Sequence, residues 1–424
     1  MLRPSAPFFF FVPKDFSLAD EYGAFWRIAD VFPEHNAGIQ TKNDGFVYAF
    51  TKKQISERIE SLLGDSADTV AKRFGLSNEG HWDLRSAQDD VRRNAGSCVQ
   101  VLNRPFDIRW TFYTGKTSGF MARPRAPLMR CGLIPNRILL TVRNPRRGNV
   151  DSFFAANSIV DKDGVSPFDN ATIFPLFLGP ETTRSQGALI IEKRINLGAG
   201  FLAEISKRLL GSPQADGGVP VGIKPEEIFN YVYALVHSPE YRSRYAEFLK
   251  IDFPRLPLTP SLELFRALAK LGGELVALHL MESPKLEKYI TRYAGKGDSE
   301  VAKGYPKFVA AVYDRRNESA AINQQEERRR SQTAATMTGN VYINPTRWFE
   351  GVPEDVWNFH IGGYQVCEKW LKDRRDRVLS DEDIAHYQKV VVALKETIRL
   401  MAEIDKVIEA HGDWPGAFVT GEHS

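Results

Sequence analysis

The stretch Lys224-Pro-Glu-Glu-Ile-Phe-Asn-Tyr-Val-Tyr-Ala-Leu-Val-His237 decides the fold of the second half of the chain. Proline near its start and two acids in the first turn are typical of a helix N-terminus. Ile228, Tyr231, Val232 and Leu235 then recur at intervals of three and four residues. This spacing predicts an amphipathic helix that buries one face.

Further helices are predicted on both sides of this stretch. Apolar spacing indicates helices over Phe201–Leu210, Pro239–Leu249 and Ser261–Leu280, and Gly211–Gly222 is the best linker candidate. Ser380 and Asp383 form a capping-box-like start for a helix that continues to about Ala410. This helix would be roughly 45 Å long. It would either pack against the other helices, which we favour, or project as a coiled-coil arm.

The N-terminal half has a different pattern, rich in aromatic and β-branched residues and interrupted by Pro, Gly and Asn. Strands are predicted at Gly45–Phe50, Ile138–Val142 and Ala171–Leu178, and helices at Lys52–Leu63 and Ala87–Arg93. We therefore predict an α+β protein. A mixed α/β lobe covers residues 1–210, and a mainly helical lobe with a long C-terminal helix covers residues 220–424.

Composition excludes several classes of protein. The chain has 424 residues, 43% hydrophobic and 26% charged, which suffices for two or three globular cores. Cys98, Cys131 and Cys367 lie far apart, which excludes a disulfide framework and favours the reducing cytoplasm. The early apolar run Phe8–Val12 is too short for a signal peptide or a membrane span. We expect a cytoplasmic protein with no membrane partner.

The net charge of +3 conceals a strongly basic segment between Val101 and Val150. Asp107 is its only acid, and its ten basic residues are Arg104, Arg109, Lys116, Arg123, Arg125, Arg130, Arg137, Arg143, Arg146 and Arg147. Aromatic residues and turn formers lie between them. Arginine forks fit phosphate oxygens and the O6 and N7 atoms of guanine, so the segment predicts contact with DNA.

Two interpretations of the individual arginines stay open. Arg104 and Arg109 flank Asp107, which would make them structural if it pairs with one of them. The loop arginines are the better candidates for base or phosphate contact. The predicted DNA-binding residues are Arg104, Arg109, Lys116, Arg123, Arg125, Arg130, Arg143, Arg146 and Arg147. The triplet Arg328-Arg329-Arg330 follows two glutamates and better fits a solvated helix face.

Motifs of catalysis are missing from the sequence. It contains no Asn/Asp-Pro-Pro-Tyr/Phe tetrapeptide of adenine methyltransferases, no phosphate-binding loop and no histidine–cysteine set at metal-ligand spacing. Gly198-Ala-Gly200 fits a simple helix start, Gly295-Lys296 fits a turn, and His237 and His360 fit structural histidines. We assign no catalytic or metal-binding residue, and whether the chain is an enzyme stays open.

Several stretches resemble the C-terminal specificity region of type ISP restriction–modification enzymes. They include Gly38-Ile-Gln-Thr-Lys-Asn-Asp44, Asn103-Arg-Pro-Phe-Asp-Ile-Arg-Trp110, Ile228–Arg242 with Phe248–Arg255, and Gly362-Gly-Tyr-Gln-Val-Cys-Glu-Lys-Trp-Leu-Lys372. The resemblance implies a target-recognition module that binds double-stranded DNA. Gly362-Gly-Tyr and Lys-Trp-Leu-Lys would fix a turn and a helix.

The same resemblance implies that methyltransferase, helicase and nuclease modules act with this chain, in cis or in trans. S-adenosylmethionine, Mg and ATP would then be cofactors of those modules, and this chain would hold none. The chain would be either a separate specificity polypeptide or a piece of a longer enzyme.

Two other functions remain as alternatives. The first is an adenine methyltransferase fragment with degenerate motifs, which would bind S-adenosylmethionine. The second is a protein-interaction scaffold whose long C-terminal helix contacts a partner, which would not bind DNA.

Overall fold

The computed structural model describes residues 15–76, 82–179, 183–185, 188–190, 193–211, 218–310 and 337–419. The chain divides into a first unit, Met1–Leu280 with Ile361–Gly363 and Leu400–Ser424, and a second unit, Met281–His360 with Tyr364–Arg399. The predicted boundary between residues 210 and 220 does not coincide with this division. The reason is that helices beyond residue 220 pack on strands of the first unit: the rings of Phe154 and His279 are stacked 5.0 Å apart.

The first unit contains most of the helices. They are Ala19–Gly23, Ile28–Val31, Asp44–Val47, Lys52–Gly64, Ala67–Phe74, Leu84–Arg93, Ala126–Met129, Ala199–Leu210, Pro225–His237, Pro239–Arg244, Ala246–Leu249, Leu262–His279 and Asp413–Gly416. Polar caps begin several of them; Thr51 and Gln54, for example, form a reciprocal capping box.

Two sheets form the β part of the first unit. One has four antiparallel strands in the order Asn36–Ala37, Thr172–Pro175, Ile138–Thr141, Phe154–Ala156. The other has three strands in the order Asp107–Tyr113, Ser97–Arg104, Ile159–Val160, and its last pair is parallel. Shorter strand pairs are Trp26–Arg27 with Arg255–Leu256, Phe177–Leu178 with Arg194–Ile195, and Thr183–Ser185 with Ala188–Ile190.

Helices Pro225–His237 and Leu262–His279 pack closely because Gly272 carries no side chain. A Cβ at this position would lie 1.9 Å from the carbonyl oxygen of Asn230. Tyr231 and Phe265 stack between the helices, with ring centroids 4.9 Å apart. This pair is the helical core of the first unit.

The second unit is built around a four-stranded antiparallel sheet. Its strands lie in the order Arg292–Gly295, Arg347–Pro353, Thr338–Tyr342, Lys307–Ala310. Strands His360–Ile361 and Tyr364–Gln365 and helices Glu354–Trp357, Val366–Lys372 and Asp381–Ala410 follow along the chain. Within the second unit, Phe349 of the sheet contacts Tyr387 of the long helix at 4.4 Å between ring centroids.

Most predicted helices are confirmed, and so is the α+β class. The long helix begins where Ser380 caps it by accepting from the Asp383 backbone N–H, and Tyr387, Val391 and Leu394 are fully buried rather than displayed on a projecting arm. The segment predicted as Pro239–Leu249 is two short helices that meet at Tyr245. Half of the predicted linker, the Phe8–Val12 run and the Arg328–Arg330 triplet lie outside the described residues.

One predicted strand is wrong, and one sheet was not predicted. Gly45–Phe50 overlaps the helical turn Asp44–Val47, because the Asn43 side chain caps that turn by accepting from the Phe46 N–H. The four-stranded sheet of the second unit adds strands to the C-terminal half. Gly339 and Gly351 lie within two of its strands and interrupt the alternation of apolar and polar side chains. The sequence therefore gives only a weak strand signal there.

Candidate nucleic-acid interface

Arg109 is held inside the hairpin formed by strands Ser97–Arg104 and Asp107–Tyr113. It lies two residues after Asp107 and so on the same strand face. Its Nε is 2.9 Å from Asp107 Oδ2, and its guanidinium lies 3.7 Å from the centre of the Phe50 ring. The two side chains are 11% and 1% exposed. Arg109 therefore has a structural role, because it pairs with Asp107 as one of the two open interpretations required.

Arg104 is also engaged within the protein. Its Nη1 is 3.0 Å from Asp161 Oδ1, and the hydroxyl of Tyr48 donates to Asp161 Oδ2 at 2.6 Å. Burial raises the pKa of Asp161, whereas the charge of Arg104 and the Tyr48 hydrogen bond lower it. Arg104 thus compensates a buried carboxylate. We leave Arg104 and Arg109 out of the proposed DNA-contacting set.

The first arginine loop, residues 114–125, is anchored by a buried carboxylate. Oδ2 of Asp90 accepts from the Thr114 hydroxyl at 2.9 Å and from the Phe120 backbone N–H at 2.8 Å. A Cβ at Gly119 would lie 2.1 Å from the same oxygen, so the backbone passes too close for any side chain. Phe120 itself is fully buried. The loop is therefore held in one position on helix Leu84–Arg93.

Four basic side chains on or just after this loop form no ion pair with any described residue. Lys116, Arg123 and Arg130 are exposed, and Arg125 is half-buried. Arg125 has a left-handed backbone, with φ 53°, and its buried Nε finds no hydrogen-bond partner among the described residues. These cations offer their donors to an external anion.

Gln40 lies beside Arg123, although the sequence analysis assigned it no role. The Gln40 N–H donates to the Arg123 carbonyl at 3.0 Å, and the Arg123 N–H donates to the Gln40 carbonyl at 2.9 Å. A cavity of about 340 Å³ borders Gln40 and is lined by residues of the segments 40–44 and 161–163. The only signal in the sequence was that Gln40 belongs to the stretch Gly38–Asp44, which resembles the specificity region.

The second arginine loop, residues 143–149, carries arginines that are exposed but already have partners. Arg143 Nε is 2.8 Å from Asp252 Oδ1, and Arg146 Nε is 3.1 Å from Asp169 Oδ1. Their side chains are 68% and 77% exposed. Arg147 lies 3.7 Å above the Phe168 ring. The Arg143–Asp252 pair is exposed on both sides and contributes about 0–1 kcal/mol, so a phosphate can replace its carboxylate, whereas the Asp169 side chain is only 9% exposed.

Other groups that the sequence singled out have structural contacts. His237 Nδ1 lies 2.7 Å from the Tyr233 carbonyl, and His360 Nδ1 lies 2.7 Å from the Asn358 carbonyl. Gly198 caps helix Ala199–Leu210, and Gly295, with φ 93°, is the last residue of strand Arg292–Gly295 rather than part of the predicted turn. Gly362 has φ 56° in the turn before helix Val366–Lys372, as the signature predicted.

Two kinds of feature are absent from the described residues. No group of three or more His, Cys, Asp or Glu side chains is arranged to hold a metal ion. Among the helices of the described ranges, none combines the length and the apolar character needed to cross a membrane.

The chain matches the model of a known protein family. The family described as the Type ISP C-terminal specificity domain matches residues 30–403, which include both arginine loops and Gln40. No curated protein matches the chain.

Solved structures with a similar fold include three DNA complexes. The ATP-dependent Type ISP restriction-modification enzyme LlaBIII bound to DNA has a TM-score of 0.60 at 15% identity over 92% of this chain. The DrdV–DNA complex, determined by cryoEM, has a TM-score of 0.62 at 18% identity over 95%. A nuclease-deletion mutant of the Type ISP enzyme LlaGI in complex with a DNA substrate mimic has a TM-score of 0.54 at 15% identity over 90%. The chain covers 25%, 40% and 29% of those proteins, respectively.

Proposed function

Because the chain belongs to the family of Type ISP C-terminal specificity domains, as its residues 30–403 show, we propose that it recognises a target sequence in duplex DNA within a restriction–modification system. The family confirms the resemblance that the sequence motifs predicted. The proteins of similar fold in complex with DNA support duplex DNA as the ligand.

The first arginine loop is the observation that carries this proposal. Lys116, Arg123 and Arg130 are exposed and have no ion-pair partner among the described residues, so contact with DNA breaks no ion pair among those residues. Asp90 fixes the loop, and a fixed loop loses less conformational freedom on binding. The second arginine loop adds Arg143, whose exposed ion pair is weak, and Arg146 and Arg147, whose side chains are exposed.

The chemistry that follows recognition belongs, in this proposal, to other modules. A methyltransferase, a helicase and a nuclease of the same system would act on the bound DNA and would use S-adenosylmethionine, ATP and Mg. The chain would position the DNA for them in the cytoplasm.

A salt series of duplex-binding measurements tests the proposal. Each phosphate neutralised adds about 0.9 to the negative slope of log K against log salt. We expect a steep slope for the wild type, and for Lys116→Glu a lower affinity and a slope smaller by about one.

The matched control is Lys395→Glu, which makes the same charge change at an exposed position on helix Asp381–Ala410. It should retain the wild-type slope. A flat salt dependence, or the same loss for both variants, would contradict a specific interface at the first arginine loop.

A further inference from the structure

Gln40 and Arg123 form a two-residue platform whose geometry follows from backbone pairing. The residues face each other across an antiparallel bridge in which each N–H donates to the other's carbonyl. Directly opposed residues of such a pair extend their side chains to the same face, with Cα atoms about 5.5 Å apart.

A second bridge shows that this face is the outer one. Ile39 pairs with Asp161 in parallel orientation, and both are buried, at 0% and 2% exposure. Successive side chains of an extended segment alternate between faces. The Gln40 and Arg123 side chains are accordingly directed away from the buried side, and they are half-buried and exposed, respectively.

Both side chains retain their hydrogen-bonding capacity. Among the described residues, neither the Gln40 carboxamide nor the Arg123 guanidinium takes part in a hydrogen bond or an ion pair. This distinguishes the platform from Arg104 and Arg109, whose charges are compensated inside the fold.

These groups match the edges of purine bases. A glutamine carboxamide pairs in bidentate fashion with N6 and N7 of adenine, and an arginine guanidinium with O6 and N7 of guanine. Three carboxylates, of Asp44, Asp161 and Asp163, line the cavity beside Gln40 together with two cations, Lys42 and Lys162, so the charge of the cavity does not select between a base edge and a phosphate. The bidentate geometry of the two side chains of the platform is what favours a base edge.

We propose that Gln40 and Arg123 are specificity-determining residues that read neighbouring base pairs in the major groove, Gln40 an adenine and Arg123 a guanine. This inference rests on the proposed function. Lys116 and Arg130 then contribute affinity that does not depend on sequence.

Selection from a random duplex library by the full chain tests the assignment. The wild type should enrich a motif with adenine and guanine at adjacent positions. Gln40→Glu and Gln40→Met keep the length of the side chain and should each reduce the adenine preference at one position by roughly tenfold to a hundredfold. Arg123→Gln should remove the guanine preference at the adjacent position.

Gln100→Glu is the matched control, because Gln100 is exposed in strand Ser97–Arg104 and lies outside the platform. It should select the wild-type motif. Thermal unfolding of each variant identifies those that fold, and the two Gln40 substitutions serve as independent tests.

The outcomes separate the two proposals. If the wild type selects a motif that folded Gln40 and Arg123 variants retain, or if the affected positions are not adjacent, the platform assignment is overturned and the proposed function stands. If the wild type binds no duplex in a salt-dependent manner, the proposed function fails and the platform assignment fails with it.

Discussion

At the scale of single residues, the basic segment contains two kinds of arginine, distinguished by the burial of their partners. Arg109 and Asp107 are both almost inaccessible, whereas Arg143 and Asp252 pair at 68% and 49% exposure. Water screens the exposed pair, so its contribution to stability is small. The buried pair cannot be separated without leaving a charge in a medium that solvates it poorly.

Asp107→Ala should therefore lower the free energy of unfolding by about 3–5 kcal/mol, because the buried Arg109 loses its counter-charge. Asp252→Ala is the control and should change it by less than about 1 kcal/mol. Urea denaturation of both variants measures the difference. Equal effects would show that exposure does not determine the strength of these pairs.

The sequence allowed only part of this distinction to be predicted. Asp107 and Arg109 are two residues apart in a strand, and local spacing was enough to raise their pairing as an interpretation. Asp161 and Asp169, the partners of Arg104 and Arg146, lie outside the basic segment. Such pairings depend on how distant segments meet, which local patterns do not encode.

At the scale of secondary-structure elements, the contact between helices Pro225–His237 and Leu262–His279 depends on one of two consecutive glycines. A Cβ at Gly272 would lie 1.9 Å from the backbone oxygen of Asn230, which cannot move without its helix. A Cβ at Gly273 would meet the Asn230 side-chain nitrogen at 2.9 Å, and this side chain can move, although its Oδ1 accepts from Arg137 Nη1 at 2.8 Å.

Gly272→Ala should separate the helices and lower the free energy of unfolding by about 1–3 kcal/mol. Gly273→Ala should be close to neutral, because the preference of alanine for the helix offsets the disturbance of the Arg137–Asn230 hydrogen bond. Chemical denaturation of the two variants compares them directly. A neutral Gly272→Ala would mean that the helices do not pack as closely as the structure shows.

Helices with regular apolar spacing could be predicted from the sequence. A segment in which one capping residue overrides the local pattern could not. The helices at Lys52, Pro225, Leu262 and Asp381 follow regular apolar spacing with recognisable starts. The segment Gly45–Phe50 has strand-forming residues, but an asparagine cap immediately before it starts a helical turn. For the proposed interface, which stays a prediction, the basic residues could be chosen from the sequence, whereas the pairing of Gln40 with Arg123 could not, because the two are distant in sequence.

At the scale of the whole molecule, acids from other parts of the fold offset the local excess of positive charge. Asp161, Asp169 and Asp252 come from outside the basic segment and neutralise three of its arginines. Among the described residues, the basic side chains of this segment that pair with no acid are Lys116, Arg123 and Arg125 on the first arginine loop and Arg130, Arg137 and Arg147 outside it. Charge counted along the sequence therefore overstates the number of arginines available to DNA.

The stability of the molecule should fall in mildly acidic solution because two histidines are buried uncharged. Burial lowers the pKa of His279 to about 3 and that of His237 well below its usual value. In the unfolded chain both titrate near pH 6.5. Above that pH they are neutral in both states and contribute nothing to pH dependence. As the pH falls below it, the unfolded state binds protons that the folded state does not.

Between pH 6.5 and 5.5 each histidine should thus lower the free energy of unfolding by about 1 kcal/mol. Denaturation curves across this range measure the effect. Replacing His237 or His279 with glutamine should reduce the dependence by about half. If both variants show the wild-type dependence on pH, other groups must account for it.

The Asp90 anchor has a consequence for how new specificities could evolve. Its carboxylate holds the loop through the backbone amide of Phe120 and the hydroxyl of Thr114, and neither contact involves the side chain at position 116 or 123. Substitution at the displayed positions therefore leaves the support intact. A lineage could exchange one recognised base for another by point mutation there, without passing through a misfolded intermediate.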